Sequence, residues 1–136
     1  MNVLERLRDA FEAATPEGGD PKSFKAAVRP AGDAKFGDYQ ANGCMALAKS
    51  LKANPRDMAA RVVEAVTLEP LAGKPEVAGP GFLNVRLHNE WVSQTLQDLL
   101  RDGSTGITPP AAPKTVVIDF SSPNVAKPMH VGHIRS

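Results

Sequence analysis

The chain's patterning predicts an α+β fold, a two-layer α/β sandwich, on three observations. Apolar residues recur at spacings of three and four over 2–14, 54–66 and 89–102, the period of a helix with one buried face. Short segments of apolar alternation, bounded by Gly and Pro, lie between them at 23–30 and 74–89, as strands do. The 136 residues are 42% hydrophobic and 23% charged, enough for one core of ordinary size and a tail.

The elements follow in order. Val3, Leu4, Leu7, Ala10, Phe11 and Ala14 form the stripe of the first helix, with Glu5, Arg6, Arg8, Asp9 and Glu12 between them. TPEGGDP, 15–21, ends it with glycine and proline. SFKAAVRP, 23–30, sets Phe24, Ala26 and Val28 against Lys25 and Arg29, which predicts a half-buried strand. A second helical block is expected from Asp38, whose carboxylate suits an N-cap, through YQANGCMALAKSL to Leu51. Gly43 inside it costs about 1 kcal/mol relative to alanine, so it marks the close approach of another segment. NPRDMAARVVEAV joins an Asn54 N-cap and Pro55 at the first helical position to a stripe of Met58, Ala59, Val62, Val63 and Val66. KPEVAGPGFLNVRLHN, 74–89, predicts two strands around a Gly-Pro-Gly turn, with Phe82, Val85 and Leu87 buried. EWVSQTLQDLLRDG places Trp91, Val92, Leu96, Leu99 and Leu100 on one helix face and stops at Gly103.

Residues 1–102 therefore read as one small domain and 103–114, rich in Pro and Gly, as a semi-rigid linker. TVVIDF, 115–120, is a continuous apolar run with one acid, as in a strand buried on both faces of a parallel sheet. Such a strand needs a crossover helix and partner strands. None follows it here, so 115–136 is expected to be the start of an incomplete second domain, with 115–120 unpaired.

Several function classes are disfavoured at once. A formal net charge of +1 gives no global reason to bind nucleic acid or an anionic membrane, so any RNA contact must be local. Before Pro110 the acidic and basic residues balance to within one charge, so no broad basic footprint supports RNA binding. Cys44 is the single cysteine, which excludes an internal disulfide and reads as core filler in a reducing, cytoplasmic setting. No apolar run approaches a membrane span, and no membrane partner is expected.

SSPNVAKPMHVGHIRS, 121–136, holds the chemistry. A strand leading through a loop to a helix N-terminus is where open α/β sheets bind phosphates. Neither glycine spacing of the common phosphate loops occurs, so the donors would be side chains. His130 and His133 can face one phosphate, Gly132 lets a flat group approach, and Lys127 adds a mobile cation. Two histidines three apart also suit zinc, but no further ligand is near in sequence and metal is the weaker reading. Asp119 is either a satisfied structural acid or a carboxylate at the ligand end of its strand.

VVIDFSSPNVAKPMHVGHIRS as a unit resembles the start of the catalytic domain of arginyl-tRNA synthetase, a class I aminoacyl-tRNA synthetase. His130-Val131-Gly132-His133 is similar to that class's HIGH signature. FGDYQANGCMALAK, 36–49, and VAGPGFLNVRL, 77–87, look like the family's N-terminal additional domain. The resemblance implies that 115–136 begins a Rossmann-like nucleotide-binding domain. It implies that Asp119 faces the guanidinium of arginine and that Ser121 and Asn124 help hold the amino acid. It implies that His130, Gly132 and His133 bind ATP, and that both histidines, with Lys127, stabilise charge on its phosphates. Phe82 and Asn84 are implied as tRNA contacts at the D-loop, through stacking and base-edge reading. The expected whole is an arginine–tRNA ligase, monomeric, with arginine, ATP and tRNA(Arg) as partners, magnesium accompanying ATP, and no prosthetic group. The present 136 residues are expected to be inactive and limited to accessory tRNA contact. Two other readings are a freestanding tRNA-binding module and another nucleotidyl-transfer enzyme. The latter lacks both the Ser-Ser-Pro-Asn loop and a hundred-residue preceding domain.

Overall fold

The structure, a computed structural model, describes residues 2–103, 110–118, 128, 130 and 131. Helix α1, Val3–Ala13, is capped by Asn2, whose side chain accepts from the Glu5 backbone N–H at 3.3 Å, and it buries Leu7 and Phe11. Helix α2, Pro21–Ala26, follows, with Asp20 as N-cap and proline at its start. Here the expected strand over 23–30 is corrected. Only Val28–Pro30 is strand, β1. The Asp20 carboxylate accepts from the Lys22 N–H at 3.1 Å and holds the Ser23 hydroxyl, nucleating a helical turn that alternation alone does not reveal. Phe24 buries its ring edge-on against Phe11, centroids 5.9 Å apart, while Ala26 is exposed.

A second correction concerns Asp38. It caps no helix; its carboxylate accepts from the Leu87 backbone N–H at 2.8 Å, and the chain continues as β2, Tyr39–Ala41. Helix α3, Cys44–Leu51, starts only after Gly43. The close approach expected at Gly43 is present, because a Cβ there would overlap the Phe24 ring. Helix α4, Pro55–Ala65, has the expected Asn54 cap, accepting from Arg56 N–H at 2.8 Å, and buries Met58, Ala59 and Val62.

β3, Glu76–Ala78, and β4, Phe82–Val85, form the hairpin about Gly79-Pro80-Gly81. The four strands make one antiparallel sheet in the order β1-β2-β4-β3. Its inner face carries Val28, Ala41, Leu83 and Val85 into a core with Leu7, Phe11, Phe24, Met58 and Val62. The buried hairpin positions are thus Leu83 and Val85, whereas Phe82 and Leu87 are only half-buried. In β4 the period of two puts Phe82 and Asn84 on the opposite face.

Helix α5, Asn89–Asp102, ends at Gly103 in the left-handed conformation, φ 64°, as expected. Its apolar stripe is not core. Trp91 packs against the core's edge beneath Arg6, but Val92 and Leu96 are exposed and Leu100 is 76% exposed. Beyond Trp91, the described residues leave Val92, Leu96 and Leu100 uncovered. Residues 110–118 form no helix or strand, and Val116, Val117 and Ile118 are all exposed. The strand expected over 115–120 is thus not formed at 115–118; Asp119 and Phe120 lie outside the described residues.

Candidate nucleic-acid interface

The outer face of the sheet is organised by register. Arg29 lies opposite Gln40, Gln40 opposite Asn84, and Asn84 opposite Glu76, so one row crosses all four strands. Gln40 Nε2 donates to Asn84 Oδ1 at 2.9 Å in the middle of that row. Beside it, Phe82 lies opposite Ala78. Phe36, Gln40, Asn42, Ala78, Gly79 and Phe82 line an open, mainly apolar hollow of about 440 Å³.

Each side chain has a local reason for its position. Gly79 and Gly81 take positive φ, 53° and 131°, which turns the chain within two residues and delivers Phe82 to the outer face. A short 3-10 turn, Ala34–Phe36, is capped by Asp33, which accepts from the Lys35 N–H at 3.0 Å. That donation, with the Lys35 ammonium close by, holds the Asp33 carboxyl below its ordinary value. The turn brings Phe36 to the rim, and Lys35 Nζ lies 4.8 Å from its ring centroid, a cation held over an aromatic face. Asn42 Oδ1 is buried and has no hydrogen-bond partner among the described residues. An unpaired acceptor at such a wall is costly unless something else meets it.

The sites expected from sequence are only partly in view. Phe82 and Asn84 share the outer face, Phe82 half-buried and Asn84 only 8% exposed. His130 is exposed. Asp119, Ser121, Asn124, Lys127, Gly132 and His133 lie outside the described residues. Sequence reasoning missed Gln40, Asn42 and Phe36. The usable signal was the alternation Tyr39 and Ala41 against Gln40 and Asn42, a period of two over four residues, hidden by the apparent helix from Asp38.

A larger hollow of about 620 Å³, between the end of α1 and α4, is lined largely by Ala13, Ala14, Ala60 and Ala65. Thr15, Pro16, Arg61 and Glu64 complete its wall, and Glu64 Oε1 is already paired with Lys74 Nζ at 3.1 Å. Cys44 is fully buried, and burial pushes its thiol up to about 11. Because the thiol's pKa is higher folded than unfolded, its contribution to stability is complete below the unfolded value. That contribution is lost as pH rises towards about 11. Cys44 is therefore expected to resist a thiol-specific reagent at pH 8 in the native chain and to react at once in denaturant. Rapid native reaction would contradict its burial.

No helix among the described residues is long and apolar enough to cross a membrane. Residues 95–136 match the catalytic domain of class I tRNA synthetases of the arginine type. Residues 1–87 match the arginyl tRNA synthetase N terminal domain. The sheet-and-helix layer and the segment after it thus define part of a class I aminoacyl-tRNA synthetase. The chain belongs to the arginyl-tRNA synthetase family. It is 46% identical over its full length to the arginine–tRNA ligase of Hahella chejuensis and covers 24% of that protein. It is 48% identical to the enzyme of Yersinia pseudotuberculosis, again over the whole chain and 23% of the relative. Among solved structures, Thermus thermophilus arginyl-tRNA synthetase matches with TM-score 0.58 and 34% identity, over 97% of this chain and 21% of that one. The Plasmodium falciparum enzyme matches with TM-score 0.63 and 25% identity, over 98% and 26%. The chain spans about a quarter of the length of these relatives.

Proposed function

We propose that these residues form the N-terminal portion of an arginine–tRNA ligase. The ligase activates arginine with ATP to arginyl-adenylate and transfers it to tRNA(Arg). The observation behind this is identity of 46% and 48% to two arginine–tRNA ligases across all 136 residues, a span that includes the Ser-Ser-Pro-Asn loop and both histidines. Residues 1–102 act as the accessory tRNA-contacting domain, 103–114 as linker and 115–136 as the first strand and signature loop of the catalytic domain. The protein works in the cytoplasm, as a monomer, without a prosthetic group.

In the adenylation step the arginine carboxylate attacks the α-phosphate and pyrophosphate leaves. Asp119 pairs with the substrate guanidinium, a planar charge-assisted contact that fixes orientation. Ser121 and Asn124 hold the amino acid. His130 and His133 donate to the phosphate oxygens on which charge builds, Gly132 leaves room for the nucleotide, and Lys127 supplies a further cation. Magnesium travels with ATP in the whole enzyme.

Interactions formed mainly in the transition state change kcat more than substrate binding. In the protein carrying the remaining catalytic domain, His130→Ala and His133→Ala are each expected to lower kcat about 100-fold with KM little changed. The 136 residues alone, with tRNA added, are expected to show no arginine-dependent pyrophosphate exchange. Robust exchange by the short chain would overturn the assignment of an incomplete catalytic domain.

The tRNA contact is assigned to the outer sheet face. An open four-stranded antiparallel sheet with an aromatic and amides on its free face is a form that single-stranded RNA loops recognise by stacking and edge hydrogen bonds. Near-neutral charge over this region limits the phosphate contribution, which suits an accessory reader. Phe82→Ala is expected to weaken binding of a tRNA(Arg) transcript about tenfold, as loss of one stacked base does. An unchanged affinity would remove Phe82 from the interface.

A further inference from the structure

Exposed apolar side chains are not spread evenly along the chain. Up to Leu87 the described residues expose only two large ones, Phe36 at 37% and Met45 at 38%. Every other one among the described residues lies at position 92 or later, in α5 or at 116–118 and 131. Within α5 the exposure climbs along one stripe, 42% at Val92, 57% at Leu96 and 76% at Leu100. The start of the helix is held by the sheet-and-helix layer. His88 N–H donates to the Leu71 carbonyl at 3.0 Å, and Trp91 packs against the core beneath Arg6. On a helical period of 3.6 the exposed stripe runs alongside the side that carries Trp91 and the half-buried Leu99. This change in exposure coincides with the change in kinship. The match to the arginyl tRNA synthetase N terminal domain ends at 87, and the match to the catalytic domain begins at 95, inside α5.

We propose that the stripe of Val92, Leu96 and Leu100 is the docking surface for the remainder of the catalytic domain, so that α5 is one helix shared by two domains. The occupant is chain of the same ligase. The present residues correspond to only 24% and 23% of two relatives, and the uncovered side chains lie in or next to the part that matches the catalytic domain. Branched apolar side chains on successive turns form a ridge that fits a groove on another apolar face. The charges of α5 disfavour other occupants. Glu90, Asp98 and Asp102 stand against Arg101 alone, a balance that repels an anionic lipid surface or an RNA backbone. The consequence is mechanical. A helix of 14 residues is about 21 Å long. Anchored at its first turn in the N-terminal layer and along its later turns in the catalytic domain, α5 fixes the separation and orientation of the two, which the Pro- and Gly-rich segment 103–114 by itself does not. The inference rests on the chain being part of an arginine–tRNA ligase and adds how the two parts of that ligase are held together.

Cysteine labelling tests this, because Cys44 is buried and gives no background in the native chain. Leu96→Cys and Leu100→Cys are compared with Gln94→Cys, on the opposite side of α5, both in this chain and in the protein carrying the remaining catalytic domain. Each site is followed by the mass of its peptide. All three positions are exposed in this chain, so their rates are expected to be similar there. In the longer protein the two stripe sites are expected to react about 100-fold more slowly than Gln94→Cys, since labelling then requires the domains to open. A second readout is thermal. Leu96→Glu combined with Leu100→Glu is expected to move the unfolding midpoint of this chain by no more than about 3 °C, as exposed substitutions do. In the longer protein the same pair should lower it by about 5 °C or more, because two unpaired charges are then buried. Equal labelling of all three sites in the longer protein would overturn the proposal, and so would a charged pair that leaves its midpoint unchanged. Slow labelling of the stripe already in this chain, slowing further with concentration, would make a second copy the occupant and overturn it as well. Should the longer protein form no arginyl-tRNA, the ligase reading fails by that separate result, while the labelling still reports whether the stripe is covered.

Discussion

Gly43→Val is expected to lower the thermal unfolding midpoint by about 12–24 °C. Gly43 has ordinary helical backbone angles, φ −75° and ψ −17°, so a side chain brings no backbone strain. The obstacle is the Phe24 ring, which occupies the space a Cβ would take. Phe24 is itself edge-on to Phe11 and almost fully buried, so shifting its ring, even towards the hollow of about 250 Å³ that borders it and Gly43, disturbs its packing on the core side. Overpacking of this kind costs about 3 kcal/mol, and a domain of this size loses roughly 4–8 °C per kcal/mol. Trimming the ring should relieve the clash, so Phe24→Leu placed together with Gly43→Val is expected to restore part of the loss. No rescue, or a variant as stable as the parent, would show that the Gly43–Phe24 contact is not what forbids a side chain there.

Gly37→Ala is expected to be about as damaging, for a different reason and with a functional consequence. Gly37 has φ 91° and ψ −158°, a conformation essentially restricted to glycine. Its missing Cβ would also sit 2.6 Å from the carbonyl oxygen of Val85, the same oxygen that accepts from Asp38 N–H at 2.8 Å. Backbone cannot swing aside as a side chain can. Strain and displacement together cost about 3 kcal/mol, and no trimming of a neighbouring side chain should recover it. Because the displaced strand is β4, the Gln40–Asn84 bond opens as well. The variant should therefore lose tRNA affinity even at temperatures where it remains folded. Circular dichroism melting and transcript binding on the same sample separate the two effects; intact binding in a destabilised variant would show that the outer face tolerates the shift.

The hairpin glycines and the helix caps show how much could be read in advance. Asn54-Pro55 and the stripe from Met58 to Val62 specify a helix whose start is found where expected, because capping and amphipathic period are local properties. Gly79-Pro80-Gly81 likewise marks the turn between β3 and β4. The short elements were misread for an equally physical reason. Three residues of strand, as in β1 and β2, contain too little periodicity to outweigh a neighbouring helix pattern. Thus Asp38 looked like a cap, although its partner, the Leu87 N–H, lies far along the chain. The stripe on α5 was legible as a stripe, but whether it is covered depends on what packs against it. Trp91 touches the core and Leu100 does not.

For the candidate site the division is similar. Phe82 and Asn84 were named from a family resemblance, and the alternation of β4 agrees in placing both on one face. Gln40 could not be found that way. It is 44 positions from Asn84 and meets it only because β2 and β4 pair in one particular register.

The sequence by itself determined the family, through a run of residues whose order is characteristic, and the longer helices, through periods set by neighbours three and four apart. Tertiary structure alone decided which side of the sheet is open, which glycines can bear no side chain, and how Arg29, Gln40, Asn84 and Glu76 line up. Cross-strand register is a relation between distant segments, and no local pattern in the chain encodes it.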